Sequence, residues 1–257
     1  MEPTKKEIDI VMLAYLRHEF TVKSLRYIVE RTSTPYRLTL VVNGTSQLKE
    51  DELKIYRALL DVGTLDHLIE IRNNYGVHAG KNVALPLVHS FPYYIDLDND
   101  ILVPDLDGKD WLGRLTDLMD NNPEYGSVSL RPQVLVGRSG KEFDVEGDVV
   151  EFSHIGAHGR IMRSDVVKKV GGWEKTWNAL RNHEDRWIAK KLAEEGYKSG
   201  YAKNLRCWHM FGDDTSDPWG YPADQKPEDH GHREIWPPVN KYADIKNFDK
   251  KTWQPTK

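Results

Sequence analysis

Three aspartates stand within the five residues Asp96-Leu97-Asp98-Asn99-Asp100, at the end of the mostly apolar stretch Tyr93 to Leu97. If that stretch is a strand that persists to Asp100, alternation sends all three carboxylates to one side. Carboxylates this close repel one another unless water or a divalent cation lies among them. Hard oxygen ligands next to a diphosphate suit Mg²⁺ or Mn²⁺. The spacing therefore indicates a metal and phosphate site, and it leaves open an acidic loop on a solvated face.

The elements in front of this cluster alternate between strand and helix. Short apolar runs predict strands, and helical periodicity predicts the segments between them. The predicted strands are Asp9 to Leu16, Arg37 to Val42, Leu68 to Arg72 and Tyr93 to Leu97, and the predicted helices are Glu19 to Arg31, Leu48 to Leu60 and Lys81 to His89. This order is typical of a parallel sheet with crossover helices. Ligands of such sheets bind at the carboxyl ends of the strands, where Tyr15, Arg17, Asn43, Asn73 and the aspartates stand.

Beyond Asp100 the strict alternation fades. We expect helices at Trp111 to Met119 and His183 to Glu195, a brief helix capped by Ser164, and short strands at Ser127 to Leu130, Asp148 to Ser153 and Gly159 to Met162. From Gly212 onward the chain is rich in Pro, Trp, Asp and His and has little periodicity. The sequence thus predicts one α/β domain with a central, mostly parallel sheet over residues 1–211, followed by an arm or lid over residues 212–257.

Composition narrows the classes of function. The chain has 257 residues and a net charge of −4, without a long run of Lys or Arg, so a nucleic-acid-binding surface is not indicated. The longest unbroken apolar stretch, Ile10 to Leu16, is too short for a membrane helix, and Met1 to Lys6 does not lead into a signal peptide. Cys207 is the only cysteine, which favours a reducing cytoplasmic setting, with peripheral membrane association left open.

Four blocks of the sequence, in order, resemble the family-2 glycosyltransferases with the Rossmann-like GT-A fold, over most of residues 8 to 210. The blocks are Asp9 to Arg17; Asn73 to Ala84, which is similar to the family's Asn-x-Gly-x-x-x-Ala-Arg-Asn stretch; Tyr94 to Pro104 with Trp111-Leu112 behind it; and a series comprising Arg160 to Arg163, Gly171-Gly172-Trp173, His183-Glu184-Asp185, Gly196-Tyr197 and Trp208-His209. The resemblance implies an inverting transferase that moves a sugar from a nucleoside-diphosphate sugar to a hydroxyl of a saccharide or glycoconjugate.

The same resemblance implies roles for individual residues. Asp98, Asp100 and His209 would hold a divalent cation, Mn²⁺ or Mg²⁺, and Asp185 would be the catalytic base. The donor would bind in the half up to about residue 104, and the acceptor in residues 105–211. The implied nucleotide-sugar contacts are Ala14, Tyr15, Arg17, Asn43, Asn73, Gly76, Lys81, Asp98 and Asn99, and the implied acceptor contacts are His158, Trp173 and Glu184.

Two departures from the family bear on the donor. Val42, followed by Asn43-Gly44, stands where the family often has an aspartate that reads the nucleobase, so a UDP-sugar is favoured but another base stays open. Lys81 replaces the usual arginine before Asn82, and it would meet a diphosphate as a point charge without the guanidinium fork.

Structural readings and other functions remain open at this stage. His209 could be a satisfied histidine, Asp185 a carboxylate that the helix dipole favours, and Trp173 a core residue. A sugar nucleotidyltransferase is disfavoured because Leu13 to Glu19 lacks the glycines of such enzymes. A non-catalytic nucleotide-sugar or carbohydrate-binding module on the same fold is the other alternative.

Overall fold

The computed structural model describes residues 8–88, 91–132, 146–174 and 184–210, so the predicted arm at 212–257 lies outside the described residues. The strands are β1 (Ile8–Ala14), β2 (Tyr36–Asn43), β3 (His67–Ile71), β4 (Tyr93–Asp98), β5 (Ile101–Leu102), β6 (Tyr125–Pro132), β7 (Val149–Glu151), β8 (His158–Arg163) and β9 (Lys198–His209). The helices are α1 (His18–Arg31), α2 (Glu50–Asp61), α3 (Val77–Ala84), α4 (Trp111–Asn121), α5 (Ser164–Lys169) and α6 (Glu184–Glu194).

The described strands form one curled sheet in the order β3-β2-β1-β4-β8-β6-β9-β5, with β7 also paired to β9. Strands β1 to β4 are parallel to one another, and β6 and β9 share their direction. Of the described strands, β5, β7 and β8 run the other way. The predicted α/β fold with a mostly parallel sheet and flanking helices is therefore confirmed.

Alternation along β1 divides the core into two layers. Ile8, Ile10 and Met12 point into a large apolar layer that α1, α2 and α4 cover, whereas Val11 and Leu13 point into a smaller layer on the other face. Helices α3, α5 and α6 cover this second layer. Buried apolar surface on both faces is what a parallel sheet between helices requires. The buried ionic side chains of Lys81, Asp96 and Arg160 lie next to this second layer.

Strands β1 to β4 agree with the predicted ones, and two features of the predicted helices need correction. The third helix begins at Val77 rather than Lys81 and ends at Ala84, because Gly76 takes a left-handed φ of 84° and turns the chain into the helix early. Ser164 does not cap α5. Strand β8 runs directly into the helix, Arg163 is the N-cap residue, and the buried Ser164 hydroxyl has no hydrogen-bond partner among the described residues.

Strands β5 and β9 were not predicted, and they bring the two ends of the site together. Ile101 pairs with His209 across these antiparallel strands. The backbone N–H of Met210 donates to the carbonyl of Asp100 at 2.9 Å. A histidine that is 109 residues away in sequence is thereby held next to the acidic turn that follows β4.

Asp110 joins α4 to the loop before β2, and we expect its replacement to destabilise the fold. Its carboxylate caps α4 by accepting from the N–H of Gly113, and it also accepts from the backbone and hydroxyl groups of Ser33 and Thr34. Asp110→Ala removes the helix cap and the hydrogen bonds to Ser33 and Thr34, and should lower the free energy of unfolding by about 2 kcal/mol or more, measured by urea denaturation.

The matched control is Asp117→Ala on the same helix. Asp117 is half exposed and pairs only with the exposed Lys109, an interaction worth about 0.2–1 kcal/mol. Equal losses for the two variants would contradict the capping role.

Candidate active site

The acidic turn lies at the carboxyl end of β4, in the middle of the sheet. Asp98 ends the strand, with 36% of its side chain exposed, whereas the Asp100 side chain is only 5% exposed. Asn99 between them is buried: its amide donates to the hydroxyl of Thr21 at 2.8 Å, and its carbonyl accepts from Ser24. Asn99 thus fastens the turn to α1, and its implied contact with a nucleotide stays a prediction.

Two basic groups face Asp100. Arg17 donates from Nη1 to Asp100 Oδ2 at 2.6 Å, and Nε2 of His209 lies 3.4 Å from the same oxygen. Arg17 reaches this position from the turn after β1, where both Leu16 and Arg17 have left-handed backbone angles. Although burial opposes ionisation, His209 and Arg17 hold the pKa of Asp100 below its usual value. Asp100 is therefore a carboxylate that is already paired with the guanidinium of Arg17 and lies next to the imidazole of His209.

The donor atoms at this turn are of types that a divalent cation binds. Carboxylates of Asp98 and Asp100 and the imidazole of His209 are ligands that Mn²⁺ accepts. Burial, together with the like charge of Asp100, raises the pKa of Asp98, a crowding of negative charge that a bound cation would relieve. Over the described ranges, no three His, Cys, Asp or Glu side chains are grouped closely enough to hold a metal. The guanidinium of Arg17 instead takes up the charge of Asp100.

A buried ionic network is centred on Asp96, which lies on β4 two residues before Asp98. This carboxylate is 1% exposed and accepts from Lys81 Nζ at 2.9 Å and from Arg160 Nη2 at 2.5 Å. Lys81 also lies 3.8 Å from Asp98. Although burial opposes ionisation of Asp96, the two cations hold its pKa below the usual value. Asp96 is thus an internal anchor for two cations rather than an exposed ligand.

Close packing of α3 on the sheet brings Lys81 to this anchor. Gly80 faces Leu13 of β1, and a Cβ at this position would lie 2.4 Å from Leu13 Cδ1. A side chain at this position would force Leu13 to move, so the glycine lets the helix pack this closely on the strand. The next residue, Lys81, is thereby carried to Asp96 on the neighbouring strand, with its own side chain 1% exposed.

Glu184 and Asp185 enter the network from the first turn of α6. Asp185 Oδ1 accepts from Arg160 Nη1 at 2.7 Å, and Glu184 Oε1 lies 3.7 Å from Lys81 Nζ. The Asp185 side chain is 26% exposed, so it can be reached from outside. Burial raises the pKa of Asp185 to about 6, and the positive charge of Arg160 limits the rise. Asp185 can therefore exchange a proton near neutral pH.

The other implied nucleotide contacts line the same edge of the sheet. Ala14 ends β1, and the ring of Tyr15 lies against Gly44, which follows β2. The buried side chain of Asn43 holds the loop before α3: Nδ2 donates to Asn74 Oδ1 and to the carbonyl of Gly76, while Oδ1 accepts from the N–H of Tyr75. Asn43 therefore shapes this loop, and the exposed Asn73 lies on it.

The implied acceptor residues lie in three different environments. Glu184 borders Lys81, as described. The His158 ring lies 5.1 Å from that of His209 and stacks on Tyr201 at 6.2 Å, which places it next to the acidic turn. Trp173 is 2% exposed, and its backbone exchanges two hydrogen bonds with the side chain of Asn82. In this arrangement the Trp173 ring is a core group, and its contact with an acceptor stays a prediction.

Sequence reasoning missed the part played by Arg160. Gly159 to Met162 was predicted as a strand and lies within β8, but no role was predicted for the Arg160 side chain, which is fully buried. The signal that could have found it is an arginine directly before the apolar pair Ile161-Met162. A charged residue in a buried strand needs an opposite charge close by, and Asp96 on the adjacent strand supplies it.

Arg17 and a metal ion should compete for Asp100. We expect Arg17→Gln to tighten Mn²⁺ binding to the nucleotide-free protein by about fivefold, since the ion no longer has to displace an ion pair worth about 1 kcal/mol. Isothermal titration calorimetry with Mn²⁺ alone measures the effect. Arg37→Gln, which breaks the pair with Asp9 at the opposite end of β1, is the control. Unchanged or weaker Mn²⁺ binding by the Arg17 variant would count against this competition.

Comparison with known proteins gives a fold but no close relative. No family model matches the sequence. No curated protein matches it either. Among the helices described, none has the length and apolarity that spanning a membrane requires.

Solved structures resemble the fold closely enough to identify it. Mannosyltransferase PcManGT from Pyrobaculum calidifontis, in complex with GDP-Man and Mn²⁺, superposes with a TM-score of 0.63 at 17% identity, over 82% of this chain and 58% of its own. TarS 1-349 from S. aureus, in complex with UDP-GlcNAc, gives 0.60 at 13% identity, over 79% and 60%. GalNAc-T7 with UDP, GalNAc and Mn²⁺ gives 0.62 at 12% identity, over 81% and 44%. The chain spans 44% to 60% of the length of these proteins, and it has the fold of GT-A glycosyltransferases.

Proposed function

We propose that this protein is a metal-dependent inverting glycosyltransferase that moves a sugar from a nucleoside-diphosphate sugar to a hydroxyl of a saccharide or glycoconjugate. One observation carries the proposal: the acidic turn after β4 and the accessible carboxylate of Asp185 are joined by the buried network of Lys81, Asp96 and Arg160. The likeness to glycosyltransferases solved with UDP- or GDP-linked sugars adds support from the fold.

In this proposal the donor occupies the carboxyl edge of β1, β2 and β4. Residues up to about 104 bind the nucleotide sugar and residues 105–211 bind the acceptor. A divalent cation held by Asp98, Asp100 and His209 would neutralise the charge that develops on the leaving diphosphate. Lys81 adds a fixed positive charge 3.8 Å from Asp98, and the mostly buried ammonium needs little reorganisation when the diphosphate leaves.

Asp185 is the proposed base. The acceptor oxygen forms a bond to the anomeric carbon while the bond from that carbon to the diphosphate breaks, and the hydroxyl proton passes to the Asp185 carboxylate. Arg160 binds Oδ1 of Asp185, so the other oxygen is the one that accepts the proton. A single carboxylate that acts as base, without a carboxylate nucleophile, implies inversion at the anomeric carbon.

A donor screen tests the proposed class. UDP-, GDP-, dTDP- and CMP-sugars are added with and without Mn²⁺, and melting temperature and donor hydrolysis are followed. One donor present at 100 times its Kd should stabilise the protein by about 2.7 kcal/mol, and only with Mn²⁺. Asp100→Ala should abolish that shift because it removes an expected ligand of the metal.

The screen also separates the alternatives. A donor that binds and is never hydrolysed or transferred would indicate a non-catalytic binding module. The absence of a shift with every donor, with and without Mn²⁺, would contradict nucleotide-sugar binding altogether. Asp165→Asn, a change at an exposed position of α5, serves as the control for nonspecific effects of losing a carboxylate.

Asp185→Asn should separate chemistry from binding. We expect transfer to fall by about 10²–10⁴-fold, with little change in the affinity for the donor, because the amide cannot take up the acceptor proton. Transfer by the wild type should fall as pH drops below about 6, where the base becomes protonated, and should level off above it. Initial rates across pH 4.5–8.5 measure both effects. Full transfer by the Asp185 variant would show that the base is another group.

A further inference from the structure

Arg160 is a fully buried arginine that binds two carboxylates on different elements. Its Nη2 donates to Asp96 Oδ2 on β4, and its Nη1 donates to Asp185 Oδ1 on α6 and to the carbonyl of Ile155. Its side chain is 0% exposed. The planar guanidinium fixes the angle between the groups it binds, which a lysine ammonium cannot do. The rigid guanidinium of Arg160 therefore connects Asp96, on strand β4, to the proposed base, Asp185.

The register of the sheet determines this position. Asp96 and Arg160 are direct partners across the antiparallel strands β4 and β8. Immediately beyond this pair the register shifts, so that Leu97 is opposite His158 and Gly159 is the extra residue, with a φ of 78°. Bulges of this kind redirect side chains beside binding sites. Here the bulge comes directly next to Arg160, the residue whose side chain reaches Asp185 on α6.

Charge pairing indicates that Arg160 serves Asp185 as well as Asp96. Lys81 lies 2.9 Å from Asp96 and already supplies that buried carboxylate with one opposite charge. A second cation on the same oxygen is not needed for neutrality, and buried cations without a partner are unfavourable. The positive charge of Arg160 is balanced because the guanidinium also pairs with Asp185, whose side chain lies nearer to solvent.

We infer that Arg160 is the positioning residue of this site: it holds Oδ1 of Asp185 so that Oδ2 faces the acceptor hydroxyl. The inference rests on the proposed function, in which Asp185 is the base. Asp96 in turn fixes Arg160, and Oδ2 of Asp185 has no hydrogen bond among the described residues. Arg160 itself touches no reacting atom and acts through Asp185.

The charged surroundings of Asp185 predict how the site responds to loss of Arg160. The groups that face Asp185 are Arg160 from β8, Lys81 from α3, Asp96 from β4, Tyr201 from β9 and Glu184 from its own helix. Arg160 is the closest cation, so its removal leaves mainly burial and like charge, which both raise the pKa of Asp185. The base would then become protonated at a higher pH.

The test compares wild type with Arg160→Gln and Arg160→Lys. For Arg160→Gln we expect kcat for transfer to fall on the order of 100-fold, as misplacement of a reacting group does, while KM for the donor stays within twofold. The acid limb of the pH profile of kcat should move up by about 1 pH unit or more. Arg160→Lys keeps the charge and loses the fork, so it should restore the acid limb but only part of kcat.

Arg163→Gln is the matched control. Arg163 lies on the same strand, is half-buried, and donates to Tyr93 and to the carbonyls of Met119 and Tyr125, away from Asp185. Its loss should lower the melting temperature without moving the acid limb. If Arg160→Gln changed kcat and pH profile no more than this control does, Arg160 would be a purely structural residue and the inference would be wrong.

A measurement without turnover separates this inference from the proposed function. Aspartate side chains labelled with ¹³C are titrated by NMR, and Asp185→Asn identifies the Asp185 resonance. A rise of about 1 unit in the midpoint of Asp185 on Arg160→Gln supports the inference, and an unchanged midpoint overturns it. Absence of transfer by the wild type would contradict the proposed function instead. If Arg160→Gln did not fold, Arg160→Lys would carry the comparison, with unchanged kcat as the contradicting result.

Discussion

A buried carboxylate held by two buried cations is the interaction on which the candidate site depends. Asp96, Lys81 and Arg160 come from β4, α3 and β8, and each side chain is at most 1% exposed. Taking such groups out of water is expensive, and removing one partner of a buried pair typically costs about 3–5 kcal/mol. The three elements must therefore assemble in one register, because any other would leave a charge buried alone.

This network also connects the two sides of the proposed chemistry. Lys81 also pairs with Asp98 and Glu184, and Arg160 also pairs with Asp185. The groups on the donor side and the base on the acceptor side are thus set by the same anchor. A change at Asp96 would disturb both sides, although Asp96 itself is too buried to touch either ligand.

The sequence alone predicted the first half of the fold because its signals are local. The apolar residues of β1, β2 and β4 and the polar residues that follow them were sufficient to predict parallel strands and a binding edge. Strand β9 is different: its twelve residues, Lys198 to His209, have no clean alternation, since they pair with β6 along most of the strand, with β7 near its start and with β5 at its end. Pairing at such long range could not be read from one segment.

The same distinction holds for the residues of the site. Asp98, Asp100, His209 and Asp185 were selected through a motif, and the structure brings Asp100 and His209 together through β5 and β9. Arg160 was predicted to lie in a strand, but its side chain was given no role, because a local pattern does not reveal a partner on another strand. Its real partner, Asp96, stands 64 residues away. Asn43 was selected at the right edge, but its hydrogen bonds reveal that it holds a loop.

The turn after β1 stores conformational strain where the fold alone would not need it. Leu16 and Arg17 both adopt left-handed angles, with φ of 51° and 52°, an arrangement that costs about 1–2 kcal/mol for each residue that is not glycine. Glycine or asparagine would adopt it more readily and lack the guanidinium that reaches Asp100. The turn thus combines a strained backbone with a guanidinium placed on Asp100, and strain of this kind is common at functional sites.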